Sequence, residues 1–117
     1  MMTFNNKAVY LCCGHVDMRK SINGLVELVQ SSFNLDPFCD DIFAFSNRRR
    51  NRIKLLEWDG DGFWLHFKRL ERGRIRWPDA GDEATMTLNG EELSVLLSGT
   101  KVELKLKRKD VFERNIS

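Results

Sequence analysis

Five cations fall within positions 48–54, at Arg48, Arg49, Arg50, Arg52 and Lys54. Phosphates need Lys and Arg as counter-charges, and Arg adds a planar fork that holds two phosphate oxygens at once. Lys68, Arg69, Arg72, Arg74 and Arg76 follow, with Trp58 and Trp64 set among the cations. An aromatic ring between cations can stack on a base or cover a sugar. The chemistry suggested is the holding of a polyanion, with phosphate contacts outweighing base-specific readout. The competing reading is a solvated basic face whose tryptophans pack beneath a helix.

The acidic and nucleophilic residues suggest less. His15, Asp17, Asp59 and Asp61 are the candidates for acid–base or metal chemistry. Asp59 and Asp61 alternate with Gly60 and Gly62, which is ordinary turn composition, and no third carboxylate is marked out to complete a metal site. Cys13 and His15 are too few for zinc. No Ser/His/Asp order, phosphate-binding loop or dinucleotide fingerprint occurs. No catalytic residue, metal or cofactor is expected.

These residues belong to a chain of 117 residues, the length of one domain, with 42% hydrophobic and 31% charged residues. No apolar run is long enough for a membrane span, and no signal-peptide segment is visible, so a cytoplasmic protein is expected. Cys12, Cys13 and Cys39 make an odd count with two adjacent, which is no disulfide framework. The net charge of +2 conceals segregation along the chain. Residues 46–78 hold ten Lys/Arg against four Asp/Glu, whereas residues 79–100 hold five acids and no Lys or Arg. Local fields of this kind steer an anionic partner more than net charge does.

The elements that must position the cations read as follows. "AVYLC" (8–12) is a short buried strand. Asp17 is a plausible N-cap for a helix over about 18–32, with Met18, Ile22, Leu25, Val29 and Phe33 at helical spacing. "NLDPFCDD" is turn chemistry. "IFAFS", "RIKLLEW", "FWLHFK" and "RIRW" read as strands between 42 and 77. Asn89 and Glu92 have capping-box spacing, predicting a helix over about 90–98 that Gly99 stops. "KVELKLKRK" alternates like a strand.

Register decides what the cations face. A four-residue loop at 59–62 sets Phe63 opposite Trp58 and mixes Arg52 and Lys54 with Leu65 and Phe67. A three-residue loop, with Gly62 left-handed, sets Trp64 opposite Trp58. Ile53, Leu55, Phe63, Leu65 and Phe67 then share one face, and Arg52, Lys54, Leu56, Trp58, Trp64, His66 and Lys68 share the other. The two are mutually exclusive, and only the second collects the apolar groups. The three-residue loop is therefore expected. Arg74 and Arg76 join the cationic face while Ile75 and Trp77 join the core.

The stretches "GHVDMRKSINGL" (14–25), "DPF" (36–38), "IFAFSNRRRNRIKLLEWDGDGFWLHFKRLERGRIRWP" (42–78) and "LNGEELSVLLSG" (88–99) carry a resemblance. Together they resemble the second-reading-frame accessory protein of the insertion sequence 66 (IS66) family, over about residues 8–100. The resemblance implies a small bacterial protein encoded beside a larger transposase and assisting its transposition. The catalytic acids would lie in that larger partner, and no catalytic residues carry over. Relatives commonly have Ser-Gly where this chain has Cys39 and Asp40. They often have Gly near the arginine-rich turn, where it has Arg50 and Asn51.

The expected fold is α+β: a twisted antiparallel sheet of about four to five strands with two helices packed on one face. Residues 1–100 form the domain, and 101–117 a basic extension, either a terminal strand or a partly disordered tail. The expected function is non-catalytic DNA binding through a basic sheet face, with Arg48, Arg49, Arg50, Arg52, Lys54, Trp64, Lys68, Arg69, Arg72, Arg74 and Arg76 as the contact residues. The alternative is docking on the transposase, or on other proteins of the same element, through Leu56, Trp58 and Trp64. A membrane partner is not expected.

Overall fold

In the computed structural model the described residues are 7–79, 81 and 83–107, with 99–107 described as backbone. The strands are β1 (Ala8–Cys12), β2 (Ile42–Ser46), β3 (Arg52–Trp58), β4 (Phe63–Arg69) and β5 (Thr85–Asn89). The helices are α1 (Ile22–Ser31) and α2 (Gly90–Lys107). The strands form one sheet in the order β4-β3-β2-β1-β5. The class is α+β with five strands, as expected.

The arrangement differs from expectation in its details. β1 and β2 run parallel because α1 intervenes as a crossover, so the sheet is mixed rather than antiparallel. That crossover puts α1 on one face. Leu25 and Val29 of α1 pack with Cys12, Phe43, Phe45 and Leu56. The alternate residues Val9, Leu11, Ile42, Ala44, Ile53 and Leu55 point the other way and pack with Leu93 of α2 and with Leu70 and Ile75. The two helices therefore cover opposite faces, not one.

Two buried faces explain the register. β3 and β4 pair with Trp58 opposite Phe63, Leu56 opposite Leu65 and Lys54 opposite Phe67. This is the four-residue loop, closed by the Asp59 N–H donating to the Gly62 carbonyl at 2.8 Å, and Gly60 rather than Gly62 is left-handed (φ +79). The case for three residues assumed one wet face. With both faces covered, Leu56, Phe63 and Leu65 can pack beneath α1 while Ile53 and Leu55 pack on the opposite side. Each such side chain contributes roughly 1.5–3 kcal/mol when fully buried. Lys54 shares the α1 side, and its ammonium is satisfied there by backbone carbonyls.

Helix α1 begins at Ile22 with Ser21 as its N-cap, later than the expected Met18. Asp17 caps a separate turn: its carboxylate accepts from the Arg19 N–H at 2.9 Å, and its carbonyl from the Lys20 N–H at 3.1 Å. Asn89 and Glu92 form the expected capping box, each side chain accepting from the other's backbone N–H at 2.7–2.8 Å. Gly99 does not stop α2. Residues 101–107 continue the helix instead of forming a strand, so the element crosses the expected boundary at 100. The rest of the basic extension lies outside the described residues.

"RIRW" is not a strand. The Ile75 N–H donates to the Arg50 carbonyl at 2.9 Å, and the Trp77 indole N–H to the Cys12 carbonyl at 2.8 Å. Ile75 still enters the core and Arg74 and Arg76 are exposed, so the alternation is kept without a ladder. The fifth strand is β5, which pairs antiparallel with β1.

Candidate nucleic-acid interface

Strand directions sort the cations. β2 ends and β3 begins at one end of the sheet, where β4 also ends, so the 47–51 loop and the 70–77 segment meet there. The Leu70 N–H donates to the Asn51 carbonyl at 2.8 Å and ties the two together. Arg48, Arg49, Arg69, Arg72, Arg74 and Arg76 are exposed at this end, and Arg52 is half-buried.

The loop that carries the arginines is rigidly specified. The Asn47 side-chain oxygen accepts from the backbone N–H groups of Asn51 and Arg52 at 3.1 and 3.0 Å, and its amide donates to Asn51 at 2.7 Å. Arg50 is left-handed (φ 59), a conformation that glycine adopts freely and other residues adopt at a cost. Its guanidinium turns inward, donating to the carbonyls of Cys13 at 3.1 Å and of Gly14 and Asn47 at 3.4 Å. It also lies 5.5 Å from the Trp77 ring centroid. Arg50 thus pins the loop to the end of β1.

Lys54 has a similar role. Its ammonium donates to the carbonyls of Met18 at 2.7 Å and Lys20 at 2.9 Å, fixing the turn before α1 against β3. That same turn leaves Arg19 and Lys20 exposed. Arg19 pairs with Asp17 at 2.7 Å. The Arg19 side chain, then its backbone N–H, hold the Asp17 carboxyl well below the usual carboxylate range, at about 2. Arg69 pairs with Glu71 at 2.8 Å and remains exposed.

The remaining expected residues separate. Trp64 is 56% exposed, and its indole donates to Asp59 at 3.0 Å on the side opposite Lys54. It stacks on His66, which approaches Glu57 at 3.3 Å. Lys68 shares that side. Trp58 lies on the α1 side in an aromatic group, its ring centroid 5.0 Å from Phe38 and 4.9 Å from Phe63. Leu56 is fully buried and belongs to the core. Leu56, Trp58 and Trp64 therefore form no common surface patch, because the hairpin register puts Trp64 on the other face.

Phe67 and Phe38 were not among the expected site residues. Phe67 is 54% exposed on the Lys54 side, and Phe38 is 49% exposed beside Trp58. Alternation placed Phe67 in the core, and only the true register shows that it faces a cation. Among the described residues no group of three or more His, Cys, Asp or Glu could hold a metal ion. Burial pushes the Cys12 thiol up to about 11 and raises those of Cys13 and Cys39, which weakens all three as thiolate nucleophiles. No helix among the described residues is long and apolar enough to cross a membrane.

Fold and surface thus define a small α+β domain whose charged loops converge at one end of an open sheet. The chain belongs to the IS66 Orf2-like family, whose description as "IS66 Orf2 like protein" matches residues 7–107. It is 42% identical over 93 residues to uncharacterized protein y4jC of Sinorhizobium fredii, covering 77% of this chain and 79% of that protein. It is 37% identical over 94 residues to uncharacterized protein y4hO of the same organism, covering 80% and 81%. No solved structure matches it. Membership of the family implies an accessory role in transposition and association with its machinery.

Proposed function

We propose that this protein is a non-catalytic accessory factor that binds DNA through the arginine end of its sheet. The observation that carries this is the convergence of the 47–51 loop with the 70–77 segment, which groups Arg48, Arg49, Arg52, Arg69 and Arg72. Among the described residues Arg48, Arg49, Arg52 and Arg72 form no ion pair, so their charge is open to an external anion. Arg74 and Arg76 extend the surface, while Arg50 and Lys54 shape it from within. Lys68 and Trp64, on the far side of β4, lie beside it rather than in it.

Phosphate contacts release condensed counterions, so affinity falls steeply with salt. Fluorescence anisotropy of purified protein with labelled DNA across a salt series tests the proposal. Binding at low salt that weakens on Arg48→Glu and Arg72→Glu supports it. No binding at low salt, or a salt slope indifferent to those substitutions, overturns it.

A second reading is docking on the transposase. The Phe38, Trp58 and Phe63 group favours it, as an aromatic surface with Phe38 half exposed. Co-purification with the transposase that is lost on Phe38→Ala, with DNA binding absent, would favour that role.

A further inference from the structure

Strand β4 presents Phe63, Leu65, Phe67 and Arg69 to the α1 side of the sheet. Phe63 and Leu65 pack against the apolar cluster beneath α1, whereas Phe67 remains 54% exposed. Lys54, directly opposite Phe67, holds the turn before α1 against β3 by its bonds to the Met18 and Lys20 carbonyls. Among the described residues β4 is an edge strand, with no further strand beside it to shelter the ring.

The surroundings of Phe67 are cationic. The Lys54 ammonium lies 5.6 Å from its ring centroid. One pair further along the same side, Arg52 stands directly opposite Arg69. Like charges in directly opposed positions destabilise a sheet unless something screens them. Arg69 has Glu71, but Arg52 has no ion pair among the described residues. Arg48 and Arg49 lie just beyond, on the loop that leads into Arg52.

A phenylalanine has no polar atom with which to read a base edge in a groove; it offers a flat apolar ring. In a duplex the faces of the bases are already stacked on one another. An unpaired base presents its face to such a ring, while the flanking cations hold the backbone. We propose that Phe67 is a stacking platform for an unpaired base, so that this surface takes single-stranded DNA in preference to duplex. The inference rests on the DNA-binding reading above and specifies the form of DNA.

The test is anisotropy with the full chain, using a labelled single strand and the duplex of the same sequence at matched ionic strength. The single strand is expected to bind more tightly. Phe67→Ala is expected to weaken single-strand binding about tenfold and to leave duplex binding within about twofold, while Phe67→Trp retains it. Trp64→Ala, on the opposite face, is expected to change neither. Urea midpoints close to wild type for these exposed-site variants would show that the fold is kept. Equal loss on both DNAs, no loss on either, or tighter duplex binding overturns the platform. If duplex binding remains sensitive to salt and to Arg48→Glu while Phe67→Ala has no effect, the DNA-binding reading stands and the platform falls. If neither DNA binds at low salt, the DNA-binding reading falls first.

Discussion

At one end of the sheet the β2–β3 loop and the segment after β4 bring together Arg48, Arg49, Arg52, Arg69 and Arg72. At the other, the 32–41 connection, the β3–β4 hairpin and the start of α2 bring together Asp36, Asp40, Asp41, Asp59, Asp61, Glu91 and Glu92. Several acids there have clear structural partners. Lys7 bridges Glu57 at 2.7 Å and Asp40 at 3.3 Å, Asp59 accepts the Trp64 indole, and Glu92 closes the capping box. At the arginine end Arg50 and Lys54 are likewise engaged with backbone carbonyls, whereas Arg48, Arg49, Arg52 and Arg72 have no such side-chain bond among the described residues. Charge density alone does not separate the two ends; the share of charge without a partner among the described residues does.

The most direct way to break this comparison is to reverse charge at each end. Combining Arg48→Glu, Arg49→Glu and Arg72→Glu is expected to cut DNA affinity by about a hundredfold or more near physiological salt. It should lower the salt slope by roughly 0.9 for each phosphate that is no longer neutralised. Asp61→Asn with Glu91→Gln at the acidic end is expected to leave affinity within about threefold. Anisotropy titrations over a salt series check both. If the acidic-end pair matters as much as the arginine-end set, the two ends are not functionally distinct.

Arg50 sharpens the line between an arginine that builds and one that binds. Arg50→Ala removes the guanidinium bonds to Cys13, Gly14 and Asn47 but keeps a left-handed non-glycine residue, and should cost about 2 kcal/mol. Arg50→Gly removes the same bonds but relieves the strain, and should recover about 1 kcal/mol of that. Urea denaturation measures both, and Arg48→Ala should lie within about 0.5 kcal/mol of wild type. A glycine at position 50 would thus trade the internal anchor for an easier backbone.

The hairpin at the acidic end offers a similar contrast within one loop. Gly60 is left-handed at φ +79, and Gly62 is not among the positive-φ residues. Gly60→Ala should therefore cost about 1 kcal/mol and Gly62→Ala much less, because a Cβ at either position meets no atom within 4 Å. Urea midpoints of the two variants rank them. The reverse order would restore the three-residue loop, and with it Trp64 opposite Trp58.

What was legible in the sequence depended on whether local chemistry sufficed. β1 and β2 appear over the residues their apolar runs indicated, and Asn89 and Glu92 announced the α2 start through groups three residues apart. The nearness of Arg48, Arg49, Arg52, Arg69 and Arg72 follows from their place at the open end of two consecutive paired strands, whereas their division between loops and faces depended on the register. The register was not. It depends on what covers the second face, and that follows from a crossover between strands far apart in sequence. β5 was missed because "TMTLN" is a half-exposed edge strand with only Met86 and Leu88 to mark it. "RIRW" has a strand's alternation, yet the Ile75 N–H is taken by Arg50 rather than by a neighbouring strand. Placing Leu56, Trp58 and Trp64 in one patch, and Phe67 in the core, followed directly from the wrong register.

The smallest expected effect concerns Asp17, a carboxylate near the arginine end that is tied to one cation. Its carboxyl is lowered by Arg19 to about 2, below the ordinary unfolded range near 4. A group lowered on folding stabilises the folded state at pH values above its unfolded pKa, and that contribution is lost as pH falls towards 2. Asp17→Asn should therefore be slightly less stable than wild type at neutral pH and should converge with it near pH 2. Exposure and solvent screening keep the difference small. The same substitution leaves Arg19 without its carboxylate partner, so DNA affinity should rise by about threefold or less, and the gain should vanish at high salt. Converging stabilities with an unchanged affinity would put Arg19 outside the binding surface. A gain in affinity would extend that surface from the β2–β3 loop to the turn before α1, beside Lys54 and Phe67.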